Sequence, residues 1–211
     1  MHRLIVLLFI AFAGLHAGPA AAEILGDARV PFSADRALVV DGNSVPGKVF
    51  HTPGHQRHEV TLLGMRQSVI LDARTASGSF ILPFLKSYVP FTFAPVAQEM
   101  DVAKVRKTRV GQETVNGIPT TQYKIGERAK DGTDVSGYAW ISPDGIVMRL
   151  EGTVITPRSS KPTDFRMELS NVQRGPQDPG LFVLPEGLNP LPFETLQGFV
   201  KPLTGGAQAT R

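Results

Sequence analysis

The chain has 211 residues, with 22 basic and 19 acidic side chains and a formal net charge of +3 at pH 7. This near balance argues against a nucleic-acid partner or a strongly basic membrane surface. The sequence has no cysteine, which excludes disulfides, a thiolate nucleophile, a zinc–thiolate site and a lipidated-cysteine anchor.

The N-terminal segment has the pattern of a secretory signal peptide. A short basic start, Met1–Arg3, precedes the apolar run Leu4–Leu15, and small side chains at Ala20–Ala22 precede Glu23. The run is shorter than the ~20 residues that cross a bilayer. We therefore predict a signal peptide over 1–22. The processed protein is expected to be soluble, in the periplasm, with no transmembrane anchor.

The first half of the remaining chain predicts four strands. They are expected at residues 49–51, 59–63, 67–72 and 79–85, with Phe80, Leu82 and Phe84 on one face. Residues 94–102 form the best helix candidate, because Pro95 suits a first helical position and Val96 and Met100 lie four residues apart. A similar apolar stripe near the C-terminus predicts a short helix within the tail 191–211.

The second half carries hairpin signals. Asn116-Gly117, Asp131-Gly132 and Asp144-Gly145 favour the positive φ angles of tight turns, as Asp41-Gly42 does earlier. Apolar and polar residues alternate in the segments between them. The pattern predicts an antiparallel meander over roughly 33–174, in a mainly β domain spanning 23–190 with about ten strands and short helices. Periodicity alone leaves a closed barrel, a sandwich and a curled open sheet as alternatives.

Chemical motifs are weak. His51, His55 and His58 lie close together, but a turn at Pro53-Gly54 and the three-residue spacing of the last two point them in different directions, so we predict no metal site. The Gly42–Lys48 segment lacks the Ser or Thr of a phosphate-binding loop and precedes a strand. No catalytic arrangement stands out. The sequence therefore predicts a protein that is not an enzyme and has no cofactor.

Four segments, in this order and spacing, resemble the LolA/LolB-like superfamily of bacterial periplasmic proteins, and they are most similar to an uncharacterised soluble branch of it. The segments are Gly47–Glu59, Gly111–Gly117 with Thr121 and Tyr123, Gly137–Ser142, and Leu181–Gly187. This resemblance implies an open, strongly curved antiparallel sheet, an incomplete barrel covered by short helices. It also implies that lipid or lipoprotein acyl chains bind in an apolar cavity.

On this resemblance we expect the inward faces of the strands to line the cavity, and the helix with Val96 and Met100 to form a lid. The predicted lining residues are Phe50, Val60, Leu62, Phe80, Leu82, Tyr123, Trp140, Met148, Leu150, Phe165 and Met167. The resemblance further implies an arginine in the cavity; Arg57 and Arg74 are the two considered, and neither is chosen. The alternative function is an envelope sensor or assembly adaptor with a packed interior and a protein partner.

Overall fold

The protein folds into one open sheet of twelve strands. The computed structural model describes residues 28–62, 64–92, 106–128, 132–157 and 159–192. The strands are β1 Phe32–Val40, β2 Asn43–Thr52, β3 His55–Leu62, β4 Met65–Asp72, β5 Ser77–Leu82, β6 Ser87–Thr92, β7 Arg106–Val115, β8 Ile118–Arg128, β9 Asp134–Ile141, β10 Val147–Thr156, β11 Ser159–Arg174 and β12 Asn189–Pro190. Two 3-10 helices, Pro83–Leu85 and Pro179–Phe182, lie outside the strands.

The strand order is β12-β6-β5-β4-β3-β2-β1-β11-β10-β9-β8-β7. Neighbours are antiparallel except β12 and β6, which run parallel. The predicted single meander is therefore wrong in one respect. The sheet consists of two meanders, β1–β6 and β7–β11, joined where β1 pairs with β11. Turn signals specify neighbours along the chain, and a pairing between strands so far apart in sequence leaves no such signal.

The predicted tight turns are confirmed. Asp41 and Gly42 have φ angles of 47° and 80°, and Asn116 and Gly117 have 47° and 79°. Two consecutive positive φ angles are the mark of a type I′ hairpin turn, whose twist matches that of the flanking strands. Gly132 and Gly145 also have positive φ. Local chemistry thus sets where the hairpins reverse.

Strand β5 ends earlier than the sequence predicts. β5 ends at Leu82 because Pro83 starts a 3-10 helix, so Phe84 leaves the strand and is 42% exposed.

Within the described residues there is no α-helix, and no helix there is long and apolar enough to cross a membrane. The signal peptide, the lid with Val96 and Met100, and the C-terminal helix fall outside the described residues. A helical cover over the sheet stays a prediction.

The sheet has two chemically different faces. Directly opposed residues of neighbouring antiparallel strands share a face, so the register extends one face from strand to strand. Starting from Phe32, Ala34, Arg36 and Leu38 of β1, this face is mostly apolar and buried; we call it the apolar face. The other, the polar face, carries ion pairs such as Arg149 with Glu168.

Close strand contacts on the apolar face require glycine. Gly137 of β9 and Gly152 of β10 are directly opposed. A Cβ atom on Gly137 would lie 2.0 Å from the Glu151 carbonyl oxygen and 2.7 Å from the Gly152 Cα atom. Real Cβ atoms do not approach backbone this closely. The two strands can keep this separation only with glycine at the site, as is typical of tight bends in sheets.

Candidate functional site

The apolar face carries two clusters of buried side chains. The larger one spans β1, β2 and β8–β11 and includes Leu38, Leu150, Phe165 and Met167. The smaller one lies on β4, β5 and β6. Its members are Val69, Leu71, Phe80, Leu82 and Val89. Side chains of this kind contribute roughly 1.5–3 kcal/mol each when fully buried. The face is thus suited to apolar contacts over most of its width.

A band of buried polar side chains lies on the same face, next to the smaller cluster. His51 of β2, Gln56 and His58 of β3, and Gln67 of β4 are each at most 4% exposed. The register places Gln56 opposite Leu71 and His58 opposite Val69. Buried polar groups are costly unless they form hydrogen bonds. A polar band within an apolar face is therefore a candidate site for a specific contact.

Arg36 is the charged member of this region. It is 3% exposed, and its Nη1 atom lies 3.0 Å from His58 Nδ1. A guanidinium only donates hydrogen bonds, so Nδ1 of His58 must accept. The ring then carries its proton on Nε2, which donates to Gln56 Oε1 at 2.8 Å. This chain of two hydrogen bonds, the Arg36 cluster, thus requires a neutral His58.

The guanidinium of Arg36 remains charged at neutral pH in spite of its burial. Desolvation lowers the pKa of Arg36 to about 10. Its side chain reaches His58 across β2, where the directly opposed residue is Gly47. Gly47 is packed closely, since a Cβ there would lie 2.3 Å from the Glu59 carbonyl oxygen. Glycine at this position therefore allows β2 and β3 to approach each other closely beside the cluster.

A small cavity of about 20 Å³ borders the Arg36 cluster. One water molecule needs a cavity of roughly 10–15 Å³, so this cavity has room for about one water. Its lining combines the three polar side chains with apolar ones from β1, β2 and β11 and from the start of the described chain. The lining residues are Ala28, Phe32, Arg36, Val49, Gln56, His58, Gly145, Ile146, Val147, Met167 and Leu169.

One wall of the cavity is the turn between β9 and β10. Hydrogen bonds hold this turn to two other parts of the chain. Arg29 donates from its backbone N–H to the Asp144 carbonyl at 2.9 Å and from its guanidinium to the Pro143 carbonyl at 2.6 Å. Arg174 of β11 donates from Nε to Asp144 Oδ2 at 2.6 Å. Asp144 therefore links the turn between β9 and β10 both to Arg29 and to β11.

We expect Asp144→Asn to loosen this wall in a pH-dependent manner. The hydrogen bond from Arg174 lowers the pKa of Asp144, so the ion pair stabilises the fold above the ordinary carboxyl pKa and is lost as the pH falls through the lowered value. Both partners are partly exposed, which limits the effect to about 0.5–1 kcal/mol at pH 7. Urea unfolding at pH 7 and below pH 3 measures it.

The difference between Asp144→Asn and wild type should disappear in acid, where both side chains are uncharged. Asp134→Asn is the matched control, because Asp134 is exposed at the start of β9, and this control should leave stability unchanged at both pH values. A deficit for Asp144→Asn that persists below pH 3 would contradict the ion-pair account.

Most of the predicted lining residues lie on the apolar face. The register places Val60, Phe80, Leu82, Tyr123, Leu150, Phe165 and Met167 there. Met148 is fully buried in the larger cluster, next to the irregularity that begins β10. Only Met167 of the predicted set borders the cavity. The side chain of Leu62 is outside the described part of the structure.

Phe50 and Trp140 lie on the polar face. Phe50 is opposed to Ser33 and Arg57, and Trp140 to Arg149. Trp140 is buried there because Arg149 stacks over its ring at 5.0 Å, and its Nε1–H donates to Glu113 Oε2 at 2.7 Å. Phe50 belongs to neither apolar cluster, whereas Trp140 belongs to the larger one together with Leu150 and Met167.

The β7–β8 turn helps to cover Trp140. Asn116 at this turn donates to Glu168 Oε1 at 3.1 Å and to the Leu169 carbonyl at 2.7 Å. β11 is three strands away from β8 in the sheet, so the hairpin bends across β9 and β10. Glu168 shares the polar face with Arg149. The folded-over hairpin thus adds to the burial of Trp140, which also belongs to the larger cluster.

The three clustered histidines point as predicted. His51 and His58 lie on the apolar face and His55 on the polar face. His51 donates from Nδ1 to the Val30 carbonyl at 3.2 Å and stacks on Phe32. Within the described residues no group of three His, Asp or Glu side chains could hold a metal ion.

The apolar face carries a buried arginine, Arg36, which the sequence reasoning did not single out. Arg57 lies on the polar face, where it donates to Glu59 Oε1 at 2.8 Å and to the Leu181 carbonyl at 3.2 Å. Arg74 follows β4 and contacts His55. The signal for Arg36 was present in the alternation of Phe32, Ala34, Arg36 and Leu38, which places a charge in phase with apolar residues.

Comparison with known proteins establishes the fold. No protein-family model and no curated protein matches the sequence. An uncharacterized conserved protein from Thermus thermophilus matches with a TM-score of 0.52 and 12% identity, over 82% of this chain and 94% of that chain. At this identity the match shows a shared fold.

Two further solved structures are similar over most of this chain. MucB in complex with MucA(peri) matches with a TM-score of 0.48 and 15% identity, over 80% of this chain and 60% of that chain. The MucA/MucB complex of Pseudomonas aeruginosa is also among the similar structures. The Mycobacterium tuberculosis lipoprotein LppX matches with a TM-score of 0.43 and 13% identity, over 75% of this chain and 91% of that chain. All of these structures have low sequence identity to this chain, and the similarity concerns the fold alone.

Proposed function

We propose that the protein is a periplasmic binding protein that holds a lipid acyl chain against the apolar face of its sheet, and carries it within the cell envelope. The observation that supports this most directly is the apolar face itself, with two apolar clusters, a buried polar band and a cavity beside a buried charge. The predicted signal peptide and the resemblance to acyl-chain carriers agree with it.

The size of the cavity defines what loading must involve. Pockets for small molecules occupy roughly 300–1,000 Å³, whereas the cavity has about 20 Å³. An acyl chain can enter only if the walls separate. The turn between β9 and β10 and the segment at Ala28 and Arg29 are the walls that hydrogen bonds, rather than strand pairing, hold in place. We expect loading to displace them.

The energetics favour reversible binding. Each CH₂ group removed from water contributes about 0.8 kcal/mol, so a carrier must offset most of that cost without exceeding the affinity of a bilayer. Methionine on the apolar face suits varied chains, because its flexible thioether adapts its shape. Met148 and Met167 lie in the larger cluster. A flexible lining of this kind gives affinity with little selectivity for chain length.

A non-enzymatic envelope sensor or assembly adaptor is the second candidate. The small cavity favours it, because an adaptor needs a packed interior. It also needs an exposed contact surface. Large apolar side chains are exposed at Phe84 and Leu85 and again at Val183 and Leu184. These residues would be the first to test as a surface for a protein partner.

Native mass spectrometry of the protein taken from a cell envelope separates the two candidates. The carrier predicts a co-purified lipid, identified after extraction. Ala28→Leu should reduce its occupancy, because a larger side chain fills the cavity that Ala28 lines. Ala37→Leu is the matched control, since Ala37 is exposed on the polar face of β1; this variant should retain lipid at the wild-type level.

Two outcomes would contradict the carrier. One is wild-type protein that is free of lipid even after gentle extraction, which favours the adaptor. The other is lipid that Ala28→Leu retains in full while Ala37→Leu loses it, which would place the lipid on the opposite face of the sheet.

A further inference from the structure

We propose that the smaller apolar cluster is a second binding position for the acyl chain, and that Leu191 occupies it until residues 175–191, which we call the strap, open. This inference rests on the proposed function and adds a route by which the ligand enters. The smaller cluster suits this role because it lies on β4, β5 and β6, next to one edge of the sheet. A chain that enters at an edge separates no strand pair within the sheet.

The strap runs from one face of the sheet to the other. After β11 it is held to the polar face of β3, where Arg57 donates to the Leu181 carbonyl at 3.2 Å. The rings of His55 and Phe182 lie 6.1 Å apart at the same place. The strap then pairs with β6 as β12 and brings Leu191 against the smaller cluster on the apolar face. It therefore has an attachment on each side of the edge.

The attachment at the edge is short. Asn189 donates a backbone hydrogen bond to the Lys86 carbonyl at 3.0 Å. Leu191 donates one to the Tyr88 carbonyl at 2.8 Å. The next residue of β6 that faces β12 is Pro90, two positions after Tyr88, and proline has no N–H with which to continue the pairing. A parallel pairing that stops after two residues should open more readily than the long strand pairs of the sheet.

Leu191 has the chemistry of the ligand that would replace it. Its side chain is apolar, packs against the smaller cluster and is only half-buried. An acyl chain offers the same kind of contact over a larger area. A ligand that takes the place of Leu191 binds the open strap alone, so it shifts the equilibrium toward the open form. The contact of Leu191 is thus autoinhibitory.

An engineered disulfide tests the strap, because the chain has no cysteine of its own. Tyr88 and Pro190 are directly opposed, and neighbouring strands lie about 4.8 Å apart, which a disulfide can bridge. Tyr88→Cys with Pro190→Cys therefore locks β12 to β6. The probe is cis-parinarate, a fatty acid whose fluorescence rises when it leaves water, added to the delipidated full-length protein. The oxidised variant should take it up roughly tenfold more slowly than the reduced form of the same variant.

Val39→Cys with Ser44→Cys is the matched control for the disulfide. These two residues are also directly opposed, on β1 and β2, and their cross-link should leave the rate of uptake unchanged. A second test needs no disulfide. Leu191→Ala should speed uptake roughly tenfold, because part of the contact that holds the strap is lost. Leu184→Ala, at an exposed position of the same strap, should not change the rate.

Each outcome decides a different statement. Equal uptake by the oxidised and reduced forms would overturn the role of the strap and leave the proposed function intact. Uptake by Leu191→Ala at the wild-type rate would overturn it as well. Equal slowing by the control disulfide would mean that any cross-link hinders uptake, and would also count against the strap. Failure of wild type to bind cis-parinarate would overturn the proposed function itself.

Discussion

Gly137→Ala is expected to destabilise the fold by about 3 kcal/mol or more. A methyl group at this position meets the Glu151 carbonyl oxygen at 2.0 Å and the Gly152 Cα atom at 2.7 Å. Both contacts are with backbone, which cannot rotate away as a side chain can. β9 and β10 must separate, and the hydrogen bonds between them weaken. Overpacking of this kind typically costs about 1–3 kcal/mol even when side chains can adjust.

Gly126→Ala is the matched control for this prediction. Gly126 lies on the neighbouring strand β8, and a Cβ there would meet only the Val135 carbonyl oxygen at 3.8 Å, an ordinary contact. The loss of unfolded-state entropy should make this variant neutral or slightly more stable, by roughly 0.4–1 kcal/mol. Urea unfolding of both variants gives the comparison. Similar stabilities for the two would refute the close contact between β9 and β10.

The hairpins of this fold could be predicted from the sequence because their chemistry is local. Asn116-Gly117 and Asp41-Gly42 reverse the chain with positive φ at both residues, and few residue types adopt that conformation. Each hairpin then places two strands side by side. This local rule accounts for both meanders, but it has no means of pairing β1 with β11.

Proline and glycine explain other limits of the prediction. The alternation through Phe80, Leu82 and Phe84 continued the predicted strand to residue 85, whereas Pro83 ends β5 in the structure. Gly137 and Gly152 gave no sign of facing each other, because opposition across strands depends on register. The sequence shows that a glycine is present, and only the fold shows what it must approach.

The candidate site was predicted in part. Alternation assigned Leu150, Phe165 and Met167 to one face, and the register agrees. Trp140 belongs to the same cluster as these residues, although the register sets it opposite Arg149 on the polar face. Arg36 was overlooked because a charged residue in phase with apolar ones suggests an end of the pattern. The physical rule is that such a charge marks a site when hydrogen bonds hold it, as His58 does here.

The largest effect expected at the site itself is a gain in stability when Arg36 is replaced by methionine. Burial lowers the pKa of Arg36 to about 10, which corresponds to roughly 3 kcal/mol of desolvation at neutral pH. Loss of the hydrogen bonds that Arg36 makes, the one to His58 among them, offsets part of that. We therefore expect Arg36→Met to be about 1–2 kcal/mol more stable, as found when apolar side chains replace buried charges elsewhere.

The stability difference between Arg36→Met and wild type should depend on pH in a defined direction. Below the folded-state pKa the guanidinium is charged in both the folded and the unfolded protein. The loss of folding stability caused by burying this charge is therefore fully present and does not vary between pH 7 and 9. This loss begins to decrease only as the pH rises through about 10, since the folded protein then releases the proton first. The advantage of Arg36→Met should thus be equal at pH 7 and 9 and should shrink above pH 10. The fluorescence of the single tryptophan reports unfolding in urea at each pH.

Arg66→Met serves as the control and should lie within about 0.5 kcal/mol of wild type, because Arg66 is exposed. A substantial loss of stability in Arg36→Met would contradict the desolvation account, because it would mean that the guanidinium supports the fold.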